Sequence, residues 1–413
     1  MDQGTNQKEQ KQGISKYTYL MLLGHATTDI AQGSLPAILA FLIDAHGYTL
    51  ASAAGFVFAG NLISAITQPI FGHLGDKVSR PWFMIAGILM AAAGISLIGF
   101  LDSYVMTCVC AIIVGIGVSL FHPEGSKLAN IAAGERKGVG MSVFSVGGNI
   151  GFTGGPLIAT AAILIFGLKG TAIFMIPAIV TSLLLLPRLK EFKRLGEDFK
   201  ASLKEETPER KAVAEDNVKG FTMVAIVTFF RATCASCLNI FIPLFFIRVF
   251  MTSVAAGNIN LSIYAAAGIV ATLAGGRIAD RFGYRPLYRV CCAVVPPLLF
   301  FFAFNREPIF ATIAIIFISI FISASHSALM VTGQGFLPTR IGMASGILFG
   351  LTISMGGIVA PFIGKIGDNF GLVPAMIVIA CISVGGLVTV FFIPKHKDVG
   401  RRSFATGDQT NGK

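Results

Sequence analysis

Charge is scarce in this chain: 13% of its 413 residues are Asp, Glu, Lys or Arg, against 54% in the apolar set. A soluble domain carries roughly a quarter of its residues charged, so most of this polypeptide cannot face water, and an ordinary soluble enzyme is excluded. A paired cysteine framework is also missing. Cys108, Cys110, Cys234, Cys237, Cys291, Cys292 and Cys381 are odd in number and sit in apolar runs, unlike the spacing of a secreted disulfide scaffold. Cys234 and Cys237 form a CxxC with apolar flanks and no βαβ pattern, which reads as small-residue helix packing. No GxxxxGK(S/T) segment occurs, which argues against ATP hydrolysis, and no nucleophile stands at a recognisable spacing from an oriented base. No cofactor is expected, and no metal: His25 and Asp29 are four residues apart, but no third ligand is adjacent in sequence. The formal net charge of +11 lies in no basic face or aromatic-interleaved patch, so a nucleic-acid partner is not expected.

What the chain has instead is long apolar runs. A bilayer core of about 30 Å takes about 20 apolar residues per helix, and such runs fall near 17–43, 49–74, 82–101, 104–128, 138–166 and 170–187, then near 220–249, 254–279, 286–304, 308–333, 342–366 and 372–394. The expected fold is therefore all-α and integral to the membrane, with twelve spans in two six-helix bundles, residues 17–187 and 220–394. Residues 1–16 and 395–413 are tails. Residues 188–219, with nine Lys/Arg, eight Asp/Glu and no apolar run, read as a solvated central linker. The first run is too long, and too polar in its middle, for a cleavable signal, so it is expected as a retained span. Of 32 basic residues, 27 lie in the tails, the linker and the loops joining even spans to odd ones; Lys169, Arg248, Arg306 and Lys365 lie in the others and Arg231 within a span. That excess puts both termini and the linker in the cytoplasm of a plasma-membrane protein.

The two bundles are related to each other. Gly72 and Gly276, Asp76 and Asp280, His122 and His326, Arg136 and Arg340, and Gly138 and Gly342 are each 204 residues apart. A parallel repeat of this kind places a cavity between the halves near the bilayer midplane.

Each copy carries the same loop motif. After span 2 come Gly72, Asp76, Lys77 and Arg80; after span 8, Gly276, Asp280, Arg281 and Arg285. The glycine permits close helix approach, and the carboxylate at a helix end can make a releasable contact with the other half, a gating role. With the spans and the repeat, this GxxxD(R/K) pattern, followed by a further cation after two residues in the first copy and three in the second, resembles the major facilitator superfamily over essentially the whole chain. Gly151, Gly155 and Pro156 in span 5 form a GxxxGP similar to the motif of antiporters in that superfamily.

The remaining ionisable groups lie inside the spans. His25, Asp29, Gln32 and Pro36 share one face of the first span, and Asp29 lies about 18 Å along it, near the midplane. A carboxylate there costs about 2.5–3.5 kcal/mol on insertion scales, so it should face a partner or a cavity. Span 4 ends in Phe121, His122, Pro123, Glu124, Gly125, Ser126 and Lys127. With Gly24, His25, Asp29, Gly33 and Pro36, this FHPEGS segment is similar to the fosmidomycin resistance family, a drug-efflux branch. The resemblance implies a monomeric, proton-driven exporter of small antimicrobials. One departure is that Val109–Gly115 lacks the span-4 arginine of many drug/proton antiporters; Arg231, about 16 Å into span 7, is the candidate substitute. His25, Asp29, Gln32, His122, Glu124, Arg231 and His326 are thus expected to line the cavity and couple protons, with Asn61, Gln68, Asn149 and Asn239 as substrate contacts. The alternatives are a proton symporter importing a small organic anion through Arg231, and a transport-inactive receptor.

Overall fold

A computed structural model describes residues 15–47, 50–203 and 215–395. Among these residues every regular element is helical. The first part of the chain forms α1 (Lys16–His46), α2 (Leu50–Lys77), α3 (Trp82–Ile98), α4 (Tyr104–Ala132), α5 (Lys137–Phe166), α6 (Met175–Leu185) and α7 (Leu189–Ser202). The second part forms α8 (Val218–Arg248), α9 (Val254–Phe282), α10 (Tyr284–Phe304), α11 (Pro308–Phe336), α12 (Ile341–Phe370) and α13 (Leu372–Val390).

Local chemistry sets several boundaries. Asn217 accepts from the Gly220 N–H at 2.8 Å and opens α8; Ser253 does the same for α9 through the Ala256 N–H at 3.1 Å, the usual satisfaction of orphan donors at a helix start. Gly283, at φ 96°, lets α9 turn into α10 through one residue, a conformation costly for any side-chain-bearing residue.

Two elements differ from the sequence expectation. The run near 170–187 is a 3₁₀ segment, Leu168–Phe174, followed by the short α6, whose Pro177 sits in the first turn, where no N–H is needed. Within 188–219, read as solvated linker, α7 forms and buries Phe192 completely; its charge had masked a one-sided apolar face.

Eight helical runs among the described residues are long and apolar enough to cross a bilayer, including Leu168–Ser202, against twelve expected. Trp82–Ile98 and Ile341–Thr352 are apolar but shorter, and α1 and α2 carry His25, Asp29, Gln32, Asn61, Gln68 and Asp76. Large apolar side chains face outward, as with Leu164 at 73% and Phe362 at 70% exposure. A water-facing surface does not sustain such a band; a bilayer does. The chain is a multi-pass membrane protein.

Two apolar cores lie one in each part, around Ile95 and Val114 and around Phe245 and Phe302. A third spans the seam, joining Phe121 and Phe144 to Leu348 and Phe349. Across that seam α2 and α4 pack on α12, and α5 on α9 and α11.

Candidate functional site

Asp29 sits in α1 between two imidazoles. Its Oδ2 lies 3.2 Å from His25 Nε2, one turn earlier, and its Oδ1 lies 3.0 Å from His122 Nε2 on α4. All three side chains are buried. Close approach of α5 makes this possible: a Cβ on Gly148 would stand 2.7 Å from His25 Nε2 and 2.8 Å from Asp29 Oδ2. A Cβ on Gly151 would strike Asp29 Cβ at 2.7 Å, and one on Gly155 the Ser34 N at 3.0 Å. The GxxxGP stretch, with Pro156 inside α5, is thus the surface on which α1 rests.

Proton counting follows from one further bond. His25 Nδ1 lies 2.7 Å from the Phe144 carbonyl oxygen, which only accepts, so Nδ1 carries a hydrogen. In the neutral ring Nε2 then bears a lone pair. A lone pair facing an ionised carboxylate is repulsive, so a proton between the two groups makes the 3.2 Å contact to Asp29 attractive. His122 donates its Nε2–H to Asp29, while its Nδ1 is buried with no partner. The ligand atoms of His25, Asp29 and His122 all lie within 4.8 Å of one another. The structure therefore supplies the third potential metal ligand that sequence adjacency did not.

Phe349 of α12 covers this cluster from across the seam. Its ring stacks on His122 at 5.1 Å between centroids and meets His25 edge-on at 5.8 Å. His326 also meets this ring edge-on, at 6.4 Å between centroids. Nothing in the sequence marked Phe349, because an apolar residue in an apolar run carries no local signal.

The other expected residues separate. Glu124 does not join His122: it pairs with Lys127 Nζ at 2.5 Å, and Lys127 also donates to the Gly75 carbonyl at 3.0 Å. The three-residue spacing from Glu124 to Lys127 was the available signal. Gln32 donates to Asn61 Oδ1 at 3.3 Å and Gln68 to Ser64 Oγ at 3.0 Å, each leaving its Oε1 buried and unpartnered. Asn149 is half-buried, and the exposed Asn239 bonds back to the Ala235 carbonyl of its own helix at 2.9 Å. Arg231 lies apart from Asp29, in a pocket shared with α10, α11 and α13, with Nε and Nη2 buried and unpaired.

The repeated loop motif closes the seam twice. Asp76 at the end of α2 accepts from the Gly342 and Met343 N–H groups, both at 2.8 Å. Asp280 at the end of α9 accepts from the Gly138 and Val139 N–H groups, both at 2.8 Å. Each carboxylate thus caps the N-terminus of a helix in the other half, where exposed donors and the dipole favour it. The 204-residue register of the sequence becomes a geometric exchange, and on its axis Asn130 donates to its own equivalent, Gln334, at 2.6 Å. The cationic motif residues do not bind these carboxylates. Arg80 and Arg281 lie over Phe83 and Phe282, Arg285 donates to the Ile393 carbonyl, and Lys77 is exposed.

A family model described as Major Facilitator Superfamily matches residues 21–221 and 224–409. An uncharacterized MFS-type transporter of Bacillus subtilis, YfnC, is 30% identical over 392 residues, covering 94% of this chain and 95% of the relative. The fosmidomycin resistance protein of Escherichia coli is 27% identical over 382 residues, covering 91% and 92%. Among solved structures, the human organic anion transporter MFSD10 superposes with a TM-score of 0.73 at 14% identity, covering 92% of this chain and 100% of that one.

Proposed function

From membership of the Major Facilitator Superfamily, to which this chain belongs, we propose a monomeric, twelve-span, proton-coupled carrier that takes up a small organic anion by symport. The family makes it a secondary-active transporter of small molecules and not an enzyme. In this reading both termini and the linker are cytoplasmic in the plasma membrane, following the basic residues, and the halves form two six-helix bundles that rock about the seam. The observation that carries the cargo assignment is Arg231: a guanidinium with two buried, unpaired nitrogens and no carboxylate partner among the described residues. A buried cation without a counter-charge is costly, and an anionic cargo supplies one. The proton shared by His25 and Asp29 supplies the coupling.

Export of antimicrobials is the second reading, favoured by the likeness to the fosmidomycin resistance protein of Escherichia coli and by Gly151, Gly155 and Pro156. Accumulation of labelled organic anion in overexpressing cells separates the two. Import predicts accumulation that collapses with an uncoupler; export predicts depletion that the uncoupler relieves.

Two substitutions test the machinery. Asp76→Asn keeps one acceptor oxygen, so one charge-assisted bond becomes neutral and the other is lost against an amide NH2, a loss of at least about 1.5 kcal/mol, so transport should slow about tenfold or more with cargo affinity changed only a few-fold. Complete loss of binding would refute the gating role. Phe349→Ala removes ring contacts with His122 and His25, each worth about 0.5–1.5 kcal/mol. It should raise the cargo-free decay of a pH gradient in vesicles about tenfold; a decay rate equal to the parent's would remove Phe349 from the proton path.

A further inference from the structure

Three donor groups converge at one point in the first half of the chain. His25 and Asp29 stand one turn apart on α1, and α4 brings His122 to the same place. An ion with four tetrahedral ligands at about 2.0–2.1 Å keeps neighbouring donor atoms about 3.3 Å apart. His25 Nε2 lies 3.2 Å from Asp29 Oδ2 and His122 Nε2 lies 3.0 Å from Oδ1, so each imidazole already stands about one such edge from a carboxylate oxygen. The two imidazole nitrogens are within 4.8 Å of each other, and rotation of two rings that meet edge-on shortens that distance.

The surroundings favour ligation. The Phe144 carbonyl takes the Nδ1 hydrogen of His25 at 2.7 Å, which is how metal-bound imidazoles are commonly oriented, and the Phe144 ring stacks on the same imidazole at 4.1 Å between centroids. His25 therefore presents a fixed Nε2 lone pair to Asp29. His122 has its Nδ1 buried with no partner, so moving its hydrogen from Nε2 to Nδ1 frees an Nε2 lone pair and leaves one unpartnered ring atom before and after. Asp29 is 4% exposed and pairs with no lysine or arginine among the described residues. A buried carboxylate gains most from a cation that it can touch.

We propose that His25, Asp29 and His122 bind one divalent transition cation of the zinc type, through the two Nε2 atoms and the Asp29 carboxylate. Two imidazoles and a single carboxylate suit zinc, cobalt, nickel or copper, whereas magnesium and calcium take six or more ligands, nearly all oxygen. Two neutral rings and one carboxylate leave one positive charge on the ion. Hydroxide as the fourth ligand cancels it, since zinc-bound water ionises near pH 7. The site is independent of Arg231 and of the cargo that Arg231 would hold.

The test is titration of chelator-stripped full chain, without an affinity tag, in phosphatidylcholine nanodiscs, with Zn²⁺, Co²⁺, Mg²⁺ and Ca²⁺ in turn. The parent should bind one Zn²⁺ per chain that excess Mg²⁺ or Ca²⁺ does not displace, and Co²⁺ should give the visible spectrum of a tetrahedral site. Asp29→Asn and His122→Gln each remove a ligand, so each should weaken Zn²⁺ by more than the roughly 10–100-fold that loss of an outer partner costs. Melting curves of the same samples identify any variant that fails to fold, and the parent's Co²⁺ spectrum decides without variants. An octahedral Co²⁺ spectrum, no stoichiometric Zn²⁺, or equal Zn²⁺ affinity in the parent and a folded variant would overturn the site. Zn²⁺ should also stop gradient-driven accumulation by the parent, because the ion takes the His25 lone pair that the shared proton would occupy. That last effect alone rests on the coupling reading: binding without inhibition would uphold the site and remove the cluster from the coupling path.

Discussion

In reconstituted vesicles, Asp29→Asn is expected to reduce gradient-driven accumulation from about tenfold per unit of pH difference, the value for one coupled proton, to equilibration. The reason lies in the tautomer of His25. Its Nδ1–H is held by the Phe144 carbonyl, so its Nε2 offers a lone pair whenever the ring is neutral, and an added proton makes the contact with Asp29 attractive. Asparagine has nearly the same shape, its oxygen still accepts from His122 Nε2–H, and its amide N–H satisfies the His25 lone pair without any proton from solution. The cluster stays bonded but no longer takes up or releases a proton to do so. Gradient-independent exchange of labelled for unlabelled cargo should persist within a few-fold, which separates lost coupling from lost folding. Accumulation unchanged from the parent would remove Asp29 from the coupling path.

How much of this cluster was legible from sequence depends on whether one helix or two were involved. His25, Asp29 and Gln32 follow a single helical period, and their shared face is as expected. His122 as the partner of Asp29 needs the packing of α4 on α1, which no spacing encodes. Glu124 shares α4 with His122, but two residues along a helix are about 200° apart, so the side chains diverge and Glu124 turns to Lys127. The depth of Arg231 along α8 was readable, but the direction in which it points was not, because α8 is apolar on all sides and offers no moment to orient it. In α7 the feature the sequence did not mark is Phe192, one buried aromatic in a helix otherwise rich in charge. Only the loop motifs carried a long-range relation: the 204-residue repeat matched Asp76 with Asp280 and Gly138 with Gly342, and it took the packing of the halves to show that each carboxylate reaches the glycine of the other pair.

That doubling sets up the second large effect. Gly72 faces Gly342 backbone to backbone: a Cβ at Gly72 would fall on the Gly342 carbonyl and 2.8 Å from Met343 N. No rotamer relieves such a clash, so Gly72→Val must part α2 from α12, and the two 2.8 Å bonds of Asp76 are carried beyond the roughly 3.2 Å at which they hold. Each bond to a charged group is worth about 1.5–3 kcal/mol, and losing both biases the seam toward its open arrangement by about 3–6 kcal/mol, at least about a hundredfold in population. A carrier that cannot reseal cannot complete its cycle, so transport should fall about a hundredfold or more while cargo binding, made elsewhere, changes only a few-fold. Gly276→Val should reproduce the defect, since its Cβ would meet the Gly138 carbonyl and Ser142 Oγ. Gly154→Val is the control, because a Cβ there meets nothing within 4 Å; its transport should stay within about twofold of the parent, as for most surface substitutions. If Gly72→Val and Gly154→Val transport equally well, the paired glycines do not close the seam during the cycle, and the exchange of carboxylates between the halves is a resting contact without a gating role.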